Sequence, residues 1–256
     1  MFILIFFFPC AANADDSGLL WLVNRKNSLP ANFRPSDLVN FQGTELRAPA
    51  RDAFSEMKTA MEADGIRGLK LQSAYRAYSY QRAVFNERVR MIETKGINRS
   101  AAEAIAARSI QAEGASEHQL GLALDVSIDG KLSQSFAETD AGRWIAENCH
   151  KFGFIIRYPE AKTYVTKIIY EPWHLRYVGI PHAQIMYETT LTLEEYHVFL
   201  AKIPMYIVWE EDFYFLVMYK NSPPENADAE IFGISATKQG ENAGYIVTLK
   251  KPALQR

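Results

Sequence analysis

The chain has 256 residues, of which 48% are hydrophobic and 23% charged, and its formal net charge is −2. This is ordinary globular composition, enough for one good core and a small appendage. The near-neutral balance and the lack of a basic stripe argue against electrostatic capture of nucleic acid.

Residues 1–14 read as a signal peptide. Phe2 to Phe8 form an apolar run, Ala12-Asn13-Ala14 has the A-x-A form of a cleavage site, and Asp15 and Asp16 suit a mature start. No Lys or Arg precedes the run, and the same residues could form a buried N-terminal strand. The run is shorter than the roughly 20 residues that span a bilayer. Export to the periplasm, cell envelope or medium is therefore expected, with no stable membrane span once the signal is removed. Cys10 would leave with the signal. Cys149 would then stand alone, without an intrachain disulfide. It sits on the inward face of a predicted helix, where core packing is the simpler reading than zinc ligation.

After the signal, "LLWLV" reads as a short strand followed by a Pro-punctuated extended segment. Phe54, Met57 and Met61 have helical spacing within 50–64, and Gly65 stops that helix. "LKLQSAY" (69–75) is strand-like. A helix over 79–94 turns Val84, Phe85, Met91 and Ile92 inward. Ser100 and Glu103 form a capping box for a third helix. "LALDVSI" (122–128) is a strand, and Asp129-Gly130 a hairpin-type turn. A helix near 140–151 precedes the strand "FIIRY", and "HLRYV" is a further strand. Thr192 and Glu195 cap a final helix with Tyr196, Phe199, Leu200 and Ile203 on one face. His150, His182 and His197 take structural or exposed readings. Near Pro204 the texture changes to four short aromatic and β-branched runs, "MYIVW", "DFYFLVMY", "EIFGISAT" and "GYIVTLK". The fold class is α+β: a small antiparallel sheet flanked by helices over 15–203, with an all-β appendage over 204–256.

Several polar residues occupy positions where core residues belong. Asp125 lies between Leu124 and Val126 in an apolar strand, a costly place for a carboxylate unless it is paired or metal-bound. His118 precedes it by seven positions. Glu171 and His174 are separated by Pro172 and Trp173, ahead of a strand. Pro172 rules out the helical H-E-x-x-H arrangement. Two neutral imidazoles and one carboxylate form a tripod suited to Zn²⁺ with one position open for water. Glu171 could stand beside that water as a general base. Trp173 walls the site or belongs to the core. Each piece is weak alone, since a lone histidine is more often a satisfied core or surface residue.

Together, Ser116-x-His118-x(6)-Asp125, Glu171-Pro-Trp-His174 and Arg76 within "SAYRAYSYQ" resemble the zinc D-alanyl-D-alanine carboxypeptidases of the VanY type, over roughly residues 19–203. The resemblance implies that His118, Asp125 and His174 are zinc ligands and Glu171 the catalytic base. It implies that Arg76 faces the substrate carbonyl and stabilises the oxyanion. Ser116 and Gln81 are implied as polar contacts to substrate; Ser73 also matches, with its role open. The expected reaction is hydrolysis of the terminal D-Ala-D-Ala bond of peptidoglycan stem peptides by a zinc-bound water. An L,D-carboxypeptidase or wall endopeptidase with the same metal site is the alternative, as is a non-catalytic zinc-dependent binding module. Glu171 argues against the last, because a binder needs no base beside its metal.

Overall fold

A computed structural model describes residues 18–224, 231–238 and 243–253, so the signal segment 1–14 lies outside the described residues. The described residues divide into two compact units, one spanning Leu22–Tyr196, the other taking in residues 18–21 and those from His197 onward. The boundary falls inside a helix, ahead of the change of texture near Pro204. No helix among the described residues is long and apolar enough to cross a membrane.

"LLWLV" (19–23) forms no strand: Leu19 and Leu20 lie in a turn and the rest is irregular, the first unit beginning at Leu22. β1 (Leu38–Phe41) and β2 (Thr44–Arg47) then pair as an antiparallel hairpin. Gln42 and Gly43 supply its two positive-φ turn residues, at 50° and 82°. α1 (Ala48–Ala63) begins with a proline in its first turn, where no N–H is needed, and buries Phe54, Met57 and Met61. β3 (Lys70–Ser73) follows.

α2 (Tyr78–Glu93) buries Gln81, Phe85, Val89 and Ile92. Met91 is exposed instead of inward, because the buried stripe runs 85, 89, 92 and leaves it on the far side. α3 (Arg99–Ala106) is capped two residues earlier than the sequence suggested. The Asn98 side chain accepts from the Ala101 N–H at 3.0 Å, while Glu103 pairs with Arg99 at 3.0 Å. Asn98 has the extended backbone a cap requires, whereas Ser100 is already helical.

The remaining elements of this unit are β4 (Ala123–Ser127), α4 (Asp140–Asn148), β5 (Phe154–Tyr158), the four-residue α5 (Thr163–Thr166), β6 (Glu171–Tyr177) and α6 (His182–Thr189). α7 (Leu193–Leu200) crosses the unit boundary. Thr192 and Glu195 do form its capping box: the Thr192 N–H donates to Glu195 Oε2 at 2.9 Å, and the Glu195 N–H donates to Thr192 Oγ1 at 3.3 Å. His182 is buried against Tyr196, with Nδ1 2.8 Å from the phenol oxygen.

The central sheet has the order β3-β4-β6-β5, antiparallel throughout. β4 is buried on both faces. On one face Leu124, Val126 and Leu175 join Phe54, Met57 and Met61 of α1 and Trp144 and Ile145 of α4 in the main core. Cys149 lies in the same core, and burial pushes its thiol up to about 12. The opposite face carries the polar residues. The second unit contains β7 (Tyr206–Trp209), β8 (Phe213–Lys220), β9 (Ile231–Ala236) and β10 (Tyr245–Pro252) in one antiparallel sheet of order β7-β8-β10-β9. The chain is thus α+β, with small antiparallel sheets, helices on the first, and an all-β C-terminal part.

Candidate active site

Strand alternation explains the carboxylate inside an apolar strand. Successive side chains point to opposite faces, so Leu124 and Val126 enter the core and Asp125 points the other way. Ser73 of β3 is in register with Asp125, and Asp125 with His174 of β6. Cross-strand partners share a face, so the three stand in a row across the sheet.

Glu171 and His174 would point to opposite faces of a regular strand. The β5–β6 pairing shifts register between Ile156↔Leu175 and Tyr158↔Glu171, so β6 bulges over residues 172–174. A bulge re-aims side chains and tolerates a missing N–H, which is how Pro172 fits within β6. Glu171 Oε2 consequently lies 3.8 Å from His174 Nδ1.

His118 comes from outside the sheet, on a single 3-10 turn, Glu117–Leu120, that ends at Gly121 in the left-handed conformation, φ 67°. A Cβ at Gly121 would lie 2.7 Å from Leu38 Cδ2 and 3.1 Å from Arg47 Cγ. The motif's glycine thus lets the turn close against the β1–β2 hairpin while presenting His118 to the sheet.

His118, Asp125 and His174 are all buried, and each offers a ligand atom within 4.8 Å of the others. His118 Nδ1 lies 2.7 Å from the Ala74 carbonyl oxygen, which can only accept, so Nδ1 carries the proton. Burial, then the positive charge of Arg76, hold the His118 imidazole down at about 4, so it is neutral near pH 7 and Nε2 bears a lone pair. That lone pair faces Asp125 Oδ2 at 3.2 Å. Asp125 is ionised, its Oδ2 accepting from the Arg76 guanidinium at 2.8 Å. His174 Nδ1 is 3.0 Å from Asp125 Oδ1. Electron-rich atoms converging in a buried space repel one another unless a cation stands among them, so these residues fit a divalent metal.

Burial, then the Asp125 charge, push the Glu171 carboxyl up to about 9, with Arg76 opposing. A dication held by the three ligands would act in the opposite direction.

Arg76 joins the row from the loop after β3. Its Nε donates to Ser73 Oγ at 2.8 Å, one terminal nitrogen to Gln81 Oε1 at 3.3 Å, and the other to Asp125 Oδ2 at 2.8 Å. Gln81 is itself anchored through Nε2 to the Gln111 carbonyl at 2.6 Å. Ser73 and Gln81 therefore orient the arginine, which uses three of its five N–H groups on them and on Asp125. Ser116 is buried at the start of the His118 turn. Trp173, half-buried, packs against the main core.

Sequence reasoning missed a second polar cluster beneath His118. Glu117 is ion-paired with Arg157 of β5 at 2.8 Å and Arg176 of β6 at 3.0 Å, and Arg157 also reaches Glu194 at 2.7 Å. Burial works to raise the Glu117 carboxyl, but the charges of Arg157 and Arg176 hold it down at about 2. The signal was present: Arg157 in "FIIRY" and Arg176 in "HLRYV" are charges in apolar strands, the same anomaly that marks Asp125.

Residues 43–180 match the family model described as VanY, D-alanyl-D-alanine carboxypeptidase. YodJ of Bacillus subtilis is 41% identical over 202 residues, covering 74% of this chain and 70% of YodJ. A D-alanyl-D-alanine carboxypeptidase of Enterococcus faecalis is 38% identical over 179 residues, covering 69% of this chain and 65% of the relative. The chain thus spans about two thirds of the length of these relatives.

Three solved structures share 38% identity over 70% of this chain. VanYB in complex with D-alanine-D-alanine is similar with a TM-score of 0.64 over 97% of its chain. A point mutant of the D,D-pentapeptidase VanY from the VanB-type cassette, in complex with Zn(II), gives 0.63 over 98%. The LD-carboxypeptidase LdcB gives 0.62 over 86%. With the fold, the ligand tripod and these likenesses in agreement, the chain belongs to the VanY family of zinc-dependent D-alanyl-D-alanine carboxypeptidases.

Proposed function

We propose that this protein is exported and removes the terminal D-alanine from peptidoglycan stem peptides ending in D-Ala-D-Ala. The observation that carries the reading is the buried row of Asp125 and His174 with His118 above it and Glu171 alongside. Export is supported by the apolar run Phe2 to Phe8 and the Ala12-Asn13-Ala14 site. The three ligands would be His118, Asp125 and His174. Zinc in such a site lowers the pKa of a bound water to about 7 and polarises a carbonyl.

Glu171, buried at the start of its strand beside the bulge, suits taking a proton at its carboxylate and passing it to the leaving amine. Its place next to His174, off the ligand triangle, suits a base rather than a fourth ligand. Arg76 is held rigidly by Ser73 and Gln81, and its remaining N–H groups suit the developing oxyanion or the substrate's terminal carboxylate.

The likeness to LdcB favours a second reading, cleavage of an L,D bond by the same site. Mass spectrometry of muropeptides ending in D-Ala-D-Ala, in a single D-Ala or in a cross-link separates the two. Loss of one alanine from the D-Ala-D-Ala substrate alone supports the first reading. Loss from the single-D-Ala substrate alone overturns it.

A further inference from the structure

The geometry points to Glu117 as a positioning residue: its buried ion pair with Arg176 sets the spacing between His118 and His174, and through it the affinity for metal. The inference rests on reading those two histidines as ligands.

Glu117 and His118 are consecutive on one 3-10 turn. Arg176 and His174 are two apart on β6, so their side chains share a face of the sheet. The turn and the strand therefore meet at two parallel points. At one, the rings of His118 and His174 stand edge-on with centroids 5.0 Å apart. At the other, Glu117 Oε1 takes Arg176 at 3.0 Å and the Nε of Arg157 at 2.8 Å. The second point fixes the first, because rotating or sliding the turn on β6 would separate these charges.

The cluster is sealed. Glu117 is 1% exposed, Arg157 2% and Arg176 0%, so none of them can touch a substrate. Breaking one partnership there leaves an uncompensated charge in a low-dielectric interior, which confines the turn to one placement. Arg157 is braced from its far side by a fork of bonds to Glu194, 2.9 and 2.7 Å. That brace does not join the turn to β6. Glu194 thus offers a control that weakens the cluster but leaves the Glu117–Arg176 tie intact.

The test measures zinc dissociation constants by competition with a chromophoric chelator, without substrate, on wild type, Glu117→Gln and Glu194→Gln. Thermal unfolding is recorded beside each. Outer partners of metal ligands are worth about 10- to 100-fold in affinity, and Glu117→Gln is expected to weaken zinc by that range. Glu194→Gln is expected to lower the unfolding temperature while keeping the wild-type constant. An unchanged constant in Glu117→Gln overturns the inference. So does a loss of affinity in Glu194→Gln that matches its loss of stability, since both variants would then act only through the fold. If Glu117→Gln does not fold, Arg176→Lys decides: it keeps the charge and loses the guanidinium fork, and a wild-type zinc constant in it overturns the inference. Zinc binding by wild type without hydrolysis of any muropeptide would count against the proposed function and leave this inference standing.

Discussion

Acid should reveal the Glu117 cluster directly. The carboxyl ionises at about 2 in the folded chain against an ordinary value of 4.5. A depressed carboxylate pKa contributes stability that is fully present above the unfolded value and is lost as pH falls through the folded one. The window is therefore pH 4.5 down to about 2. The gap between those values corresponds to about 3 kcal/mol, an order-of-magnitude figure, for a group wholly removed from solvent. Glu117→Gln leaves Arg157 and Arg176 buried without their shared counter-charge, a change that typically costs about 3–5 kcal/mol at neutral pH. As pH falls, the wild-type carboxyl takes up a proton and comes to resemble the amide. The difference between the two proteins should therefore shrink across the window. His118 also takes up a proton there, at about 4, so both proteins are compared with chelator present and only their difference is read. The assay is urea unfolding followed by far-UV circular dichroism at several pH values between 7 and 2. A stability difference that stays constant across that range would refute the reasoning, because the ionised carboxylate would then not be the source of the stabilisation.

Other outcomes follow from the same geometry. Glu171→Gln should keep its zinc, by elemental analysis, yet lose turnover by about 10²-fold or more, the usual scale for a general base; wild-type kcat would contradict the assignment. Arg76→Ala should lower kcat/KM on a pentapeptide ending in D-Ala-D-Ala by about 10²- to 10³-fold, and Arg76→Lys should recover little of it because lysine cannot reproduce the fork to Ser73, Gln81 and Asp125. A kcat effect larger than the KM effect would assign Arg76 to the oxyanion, and the reverse to the substrate carboxylate. Gly121→Ala should cost about 1–3 kcal/mol in urea unfolding, from its positive φ and the 2.7 Å approach to Leu38; wild-type stability would show that the turn relaxes freely.

Much of the site was legible because charge in an apolar strand is hard to explain otherwise. Asp125 between Leu124 and Val126 announced a partner, and the spacing of His118, Glu171 and His174 supplied candidates. The bulge that brings Glu171 and His174 to one side was not legible, since register depends on pairing with β5. Nor was the engagement of Arg76 by Ser73 and Gln81, whose side chains meet only once β3 and α2 are placed. The β1–β2 hairpin was missed because Gln42-Gly43 is not one of the strong two-residue turn pairs. α6 was missed because its pattern is short and weakly amphipathic. The four C-terminal strands were visible in their aromatic and β-branched runs, which need no tertiary knowledge to read.

The measurement that bears most directly on the central claim is zinc content against activity. Wild type should carry one zinc per chain, by elemental analysis, and release D-alanine from a D-Ala-D-Ala muropeptide. A strong chelator should abolish both and added zinc restore both, while His174→Ala should lack both. Because the proposed nucleophile is water, a β-lactam should leave the activity intact. A fully active preparation containing no zinc or comparable divalent ion would contradict the account.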